Sequence, residues 1–314
     1  MGRRTRKLVA LVGVVAALVI AAPAAAITDG QADGSVHGYV GELFFYVPDD
    51  VDDRFTDPGQ WYSCTGTLIS PTIVVTAGHC AYAIGRDGTS TTDGAAEDGS
   101  GGNDVWVSFQ EVPDFSDIAA APFIPDDNAG RYTHYRDVLN GRSEWHRGTA
   151  YHHPDFDNDD FASFDLGVVI LDRPVQLGTY GRLPTLRYLD RFKGKEKAQL
   201  FESVGYGFET STPKTETGGD TRRISIQKIV NFNGVHGMGP NVALLFSHNN
   251  SSKHTGGTCY GDSGGPTFVA GTNLMVAITS WGTQPNCTGN DVQYRVDQSD
   301  DLAWLAAVAA GHPR

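Results

Sequence analysis

The sequence predicts an all-β fold. Short runs rich in Val, Ile, Thr and Tyr recur along the chain, clusters of Gly, Asp, Asn and Pro separate them, and only one helical stripe stands out, near the end. Many short strands with turn signals point to a sandwich or a barrel. In chain order the predicted strands cover residues 66–69, 72–76, 105–109, 167–171, 199–206, 242–246 and 274–281. Residues 88–103, rich in Gly, Asp, Ser and Thr, read as a surface loop, and 194–197 with 210–220 as exposed turns. Leu302, Trp304, Leu305 and Val308 share one helical face, and Ser299 stands where a cap belongs.

The start of the chain is of another kind. Arg3, Arg4, Arg6 and Lys7 precede an apolar run over 8–20, which ends in Ala24-Ala25-Ala26. A basic start, a short apolar core and an A-x-A end describe a secretory signal peptide over 1–26. The strongly apolar part is shorter than the ~20 residues that span a bilayer, so it is not read as an anchor. The chain is thus expected to be secreted, with no membrane attachment after signal removal. The remaining residues suffice for one large or two small domains with a sizeable core. The formal charge of −13 becomes −17 once the four basic leader residues are gone. Such a surface repels nucleic acid and anionic lipid.

Cys64, Cys80, Cys259 and Cys287 allow three pairings. In an exported chain they are expected as disulfides. None forms a C-x-x-C pair, so no metal site is expected. A Cys64–Cys80 bridge would pin the hairpin across Ser70-Pro71 and hold the neighbouring His79 rigid, worth about 3 kcal/mol by loop entropy.

The densest chemical signal is Gly261-Asp262-Ser263-Gly264-Gly265-Pro266. A serine hydroxyl needs an adjacent base and N–H donors aimed at the developing oxyanion. A glycine two residues earlier lets its own N–H converge with that of Ser263. Gly261-x-Ser263-x-Gly265 also fits the nucleophile elbow of α/β-hydrolases, but that fold needs Ser, then Asp, then His, and only His312 follows Ser263. The base must lie upstream, and Thr76-Ala77-Gly78-His79-Cys80 supplies it directly after an apolar strand. The third group should be a buried carboxylate that fixes the imidazole tautomer. Asp165 opens the apolar run Leu166–Leu171, where a carboxylate is costly without a partner. Asp172, at the end of that run, is the second candidate, with a turn role; Asp155, Asp157, Asp159 and Asp160 read as solvated. His152 and His153 read as part of a surface turn rather than a metal site.

The order His, Asp, Ser and these three motifs together resemble the trypsin/chymotrypsin-like serine proteases, closest to secreted bacterial members. The resemblance implies two antiparallel six-stranded β-barrels with a short C-terminal helix, the first over 27–175 with His79 and Asp165, the second over 176–314 with Ser263. It implies a serine endopeptidase acting through an acyl-enzyme, with no cofactor. Gly261 and Ser263 would form the oxyanion hole. Ser280-Trp281-Gly282 would pair with substrate backbone, with Ser280 also bonding Asp165, and Cys259–Cys287 would bracket the specificity pocket. Partners would be protein or peptide substrates and protein protease inhibitors, and the chain a monomer.

Three features depart from the family's usual pattern. Ile27-Thr28-Asp29-Gly30 stands where Ile-Val-Gly-Gly is usual; cleavage after Ala26 would still expose Ile27, whose ammonium would meet Asp262 as the activation pair. His79 and Asp165 lie 86 residues apart, longer than usual, with 88–103 and 114–141 as the excess. Gly257 takes the pocket-floor position at which trypsin-like members carry an acid. Thr258 and Gly282 leave the pocket open, and Asp291 is a second candidate floor acid, which together suggest broad specificity. The rival function is a catalytically inactive homologue acting as a binding protein, in which the triad would usually be incomplete.

Overall fold

The computed structural model describes residues 27–28, 30–47, 60–82, 84, 104–116, 127–157, 163–212, 215–232, 243–247 and 256–313. The signal peptide over 1–26 and the loop over 88–103 lie outside them.

The first half is a closed barrel of β2 (Val40–Val47), β3 (Gln60–Ser70), β4 (Ile73–Thr76), β7 (Gly167–Leu171), β6 (Trp145–His152) and β5 (Asp104–Ser108), in that order around the wall. Each neighbouring pair is antiparallel. The pairing of β4 with β7 sets Thr76 opposite Gly167 and Ile73 opposite Ile170. In an antiparallel pair, the residue after one strand's end lies beside the residue before the other's start. His79 and Asp165 are brought to one end of the barrel in this way.

The second half is a sheet ordered β1 (Gln31–Ala32), β11 (Arg223–Gln227), β8 (Phe201–Gly205), β14 (Pro266–Val269), β15 (Met275–Gly282), β16 (Asn290–Arg295), β13 (Ala243–Ser247) and β12 (Ile229–Asn231). Only Lys228 separates β11 from β12. One bent strand therefore pairs with β8 along its first part and with β13 along its second, and this closes a circuit of six. Lys228 itself bridges the bend, with its carbonyl accepting from Ser247 N at 2.9 Å. A hairpin of β9 (Phe208–Thr212) and β10 (Thr215–Gly218) stands apart. The expected two six-stranded barrels are thus present.

The two ends of the chain cross over. Gln31–Ala32 lies within the range assigned to the first barrel, yet β1 pairs with β11 of the second. The terminal helix Ser299–Ala309, grouped with the second half, joins the core of the first, with Trp304 edge-on to His153 at 5.2 Å. Gln298, not Ser299, is its N-cap residue, and no side chain caps it. His153 is buried against this helix and His152 against Tyr82 and Phe156, neither of them in a surface turn. Between the barrels, the guanidinium of Arg222 donates to Asp33 at 2.8 Å and to the carbonyls of Val40, Phe109 and Gly34. Asp33 also bonds His37 at 2.5 Å.

A second helix, Asn128–Asn140, falls inside the excess stretch 114–141, for which the sequence predicts no element. The Asp127 carboxylate caps it by accepting from Gly130 N at 2.7 Å. Its Tyr132 and Leu139 close an aromatic cluster with Tyr46, Trp106 and Trp145 on the outer face of the first barrel.

Candidate active site

His79 sits on the short helix Gly78–Tyr82 that follows β4, and Asp165 stands two residues before β7. The Asp165 carboxylate is fully buried and collects its donors from two barrels. The His79 amide donates to Oδ1 at 2.9 Å, and the His79 ring lies with Nδ1 3.0 Å from Oδ2. Ser280, on β15, donates its hydroxyl to Oδ2 at 2.5 Å. With Nδ1–H on the carboxylate, His79 carries its lone pair on Nε2, the nitrogen that takes a proton when the ring acts as a base. Asp172 stands at the surface, with Arg147 at 3.7 Å.

Ser263 lies on the turn that leads into β14. Gly264 N donates to Thr279 O, and Thr279 N to Gly265 O, each at 2.8 Å, so the turn is stitched to β15 beside Ser280. Two glycines are required here. Gly261 has φ of 95°, a left-handed conformation costly for other residues. A Cβ on Gly264 would lie 2.1 Å from Thr76 Oγ1, so only glycine lets the nucleophile turn approach the strand that carries the base. From the first barrel, Thr65 N donates to Ser263 O at 2.8 Å and Thr65 Oγ1 donates to Gly261 O at 2.8 Å. Nothing in the linear sequence marks Thr65, because its loop partner lies 196 residues away.

Asp262 points away from Ser263 into the interior, where it accepts from the amides of Gly207 and Cys259, each at 2.8 Å. Burial pushes its carboxyl up to about 8 in spite of those two bonds, and the nearby Asp291 adds to the rise. Ile27 is fully buried in the same region, and its amide donates to Gly207 O at 3.3 Å. The chain from Ile27 through Gly207 thus ends at the Asp262 carboxylate.

His79 and Ser263 share the wall of a cavity of about 490 Å³ with Thr258, Trp281, Gly282 and Asp291. Cys64–Cys80 and Cys259–Cys287 are both formed, the first beside His79 and the second on this cavity. The sulfurs of Cys64 and Cys80 lie near the His79 ring, but as a disulfide they offer no thiolate to a metal. Asp291 is 1% exposed and accepts from Thr258 N at 2.8 Å and from the side-chain amide of Gln227. Gly257 stands off the cavity, paired through its backbone with Thr28, whose amide donates to Gly257 O at 3.0 Å.

Known proteins share this fold. The family model described as Trypsin matches residues 53–112 and 130–303. HL collagenase is 15% identical with a TM-score of 0.57, over 91% of this chain and 99% of its own. Human heparin binding protein is 15% identical with a TM-score of 0.54, over 90% of this chain and 97% of its own. Identities this low speak to the fold alone. No curated protein matches the sequence. With most of its length matched by the family model, a closed six-stranded barrel followed by a second six-strand circuit, and protease structures of the same fold, the chain belongs to the trypsin family.

Proposed function

We propose that the chain is a secreted serine endopeptidase with His79 as general base, Asp165 as its orienting carboxylate and Ser263 as nucleophile. The observation that carries this reading is the buried Asp165 carboxylate, which holds the His79 ring on the wall of the cavity that Ser263 also lines. Ser263 Oγ attacks the scissile carbonyl while His79 Nε2 takes its proton. The N–H groups of Gly261 and Ser263 receive the oxyanion. His79 then protonates the leaving amine, and water hydrolyses the acyl-enzyme by the same route in reverse. Ser280, Trp281 and Gly282 pair with the substrate backbone. Substrates are proteins or peptides, protein protease inhibitors compete for the same cleft, the chain acts as a monomer, and no cofactor or metal takes part.

Activation rests on Ile27 and Asp262. Cleavage after Ala26 frees an α-ammonium at a residue already buried beside that carboxylate's amide partners. An ammonium there restores Asp262 to its charged form. The active protein is expected to begin at Ile27; N-terminal sequencing that finds another start removes this step. Asp291 is the carboxyl group on the pocket wall, which favours a basic side chain at the cleavage site within a broad range.

A serine-reactive phosphonate tests the central claim. Processed wild type is expected to be labelled and Ser263→Ala is not. A processed wild type that stays unlabelled favours the second reading, a binding protein on the same fold, for which the name of the human heparin binding protein is a precedent. Turnover of esters with no cleavage of peptides would favour an esterase instead.

A further inference from the structure

We infer that Thr65 is a positioning residue for the oxyanion hole, and that its hydroxyl, reaching over from the first barrel, fixes the peptide that links the two N–H donors. This rests on the reading of the site as a serine endopeptidase.

The donors belong to Gly261 and Ser263, and the peptide between Gly261 and Asp262 sets how they face each other. Four consecutive carbonyls of this turn are held. Tyr260 O accepts from Phe208 N at 2.8 Å, Gly261 O from Thr65 Oγ1 at 2.8 Å, Asp262 O from Gly265 N at 2.9 Å and Ser263 O from Thr65 N at 2.8 Å. Thr65 supplies two of the four, and both come from the opposite barrel. The direction of the hydroxyl is settled by its other partner. The Tyr206 amide approaches Thr65 Oγ1 at 3.2 Å and can only donate, so the hydroxyl proton goes to Gly261 O. Thr65 is fully buried, which keeps water from replacing the bond. Gly261 needs such a tether more than most residues, because glycine rotates freely about ψ once its carbonyl is released.

The strand position adds a second coupling. Cys64, the residue before Thr65, is bridged to Cys80, the residue after His79. One two-residue step of β3 therefore holds the base on one side and the oxyanion loop on the other. An oxyanion hole acts through donors already aimed, and a small misplacement of a reacting group costs up to about 100-fold in rate.

Thr65→Val keeps the shape and removes the hydroxyl; Thr65→Ser keeps the hydroxyl. In the processed full chain, kcat on a peptide substrate is expected to fall about 10- to 100-fold in Thr65→Val, with KM within about threefold of wild type. Affinity for a peptide aldehyde, which presents a tetrahedral oxygen to the hole, should fall in step with kcat/KM. Thr65→Ser should recover most of both losses. If Thr65→Val does not fold, Thr65→Ala carries the same expectation. A residue that only stabilises the fold would lower the melting temperature and leave kcat and aldehyde binding alone. Equal kcat in Thr65→Val and an active wild type, or no recovery in Thr65→Ser, overturns this inference only. A processed wild type that is neither labelled by the phosphonate nor active overturns the reading of function and this inference with it.

Discussion

Buried carboxylates need donors, and Asp165 and Asp291 find theirs differently. Asp165 is served by His79 and Ser280, both on elements that a sequence reader can place, and the apolar strand behind it gives it away. Ser263 and His79 are legible for a similar reason, since each sits in a dense local motif. Asp291 is held by Thr258 N and by Gln227, the latter 64 residues upstream, and no apolar run or dense motif around it announces that burial. Thr65 was invisible because its hydroxyl acts on a loop in the other barrel. Asp291 carries a prediction at this scale. Asp291→Ala should lower kcat/KM for peptides with Lys or Arg at the cleavage site by about 10- to 100-fold, the worth of a hydrogen bond to a charged group, while apolar residues there are cleaved as before. An unchanged peptide-library profile takes Asp291 out of recognition.

Elements were legible in proportion to how apolar their buried faces are. β7, with its unbroken apolar sequence, matches the predicted strand residue for residue. β6 and β16 bury His152, Gln293 and Arg295, side chains that read as exposed, and neither was predicted. The helix Asn128–Asn140 has few apolar residues, and it is fixed by Tyr132 and Leu139 entering the aromatic cluster. The terminal helix was found, though its buried face includes Asp301 as well as Trp304, Leu305 and Val308. Tyr294 donates its hydroxyl to Asp301 at 2.9 Å, and burial pushes the Asp301 carboxyl up to about 8. The unfolded chain ionises this group near 4, so it binds fewer protons than the folded chain at pH between about 4 and 8. The stability that the protonated carboxyl contributes is complete below about pH 4 and is lost as pH rises through about 8. Asp301→Asn, which still accepts from Tyr294, should flatten the fall in melting temperature between pH 5 and 8 and leave it nearly unchanged at pH 4. Parallel slopes for the two proteins would refute this assignment.

Across the whole molecule, the barrels are held by groups that cross between them. Burial alone would raise Asp33, but its bonds to His37 and Arg222 outweigh it and keep the carboxylate below its ordinary value. Arg222→Met would leave that carboxylate buried without its guanidinium and should cost roughly 3–5 kcal/mol in denaturant unfolding. Adding Asp33→Asn should recover part of the loss; a double variant no better than the single one would mean that the backbone bonds of Arg222 dominate. The class of fold was readable in the strand and turn pattern. The exchange of ends was not, because short segments such as Gln31–Ala32 carry no periodicity of their own and take their place from the β11 edge they meet.

The single bent strand that runs through Lys228 has a consequence for survival. An endopeptidase reads its substrate as an extended segment laid along a strand edge. With β11 and β12 joined, the described strands of the second barrel form a circuit whose outer ends are the short β1 and β12, and the first barrel is closed outright. Among the described strands, the ends β1 and β12 and the separate hairpin of β9 and β10 are thus the edges that the proposed endopeptidase could read on another copy of itself.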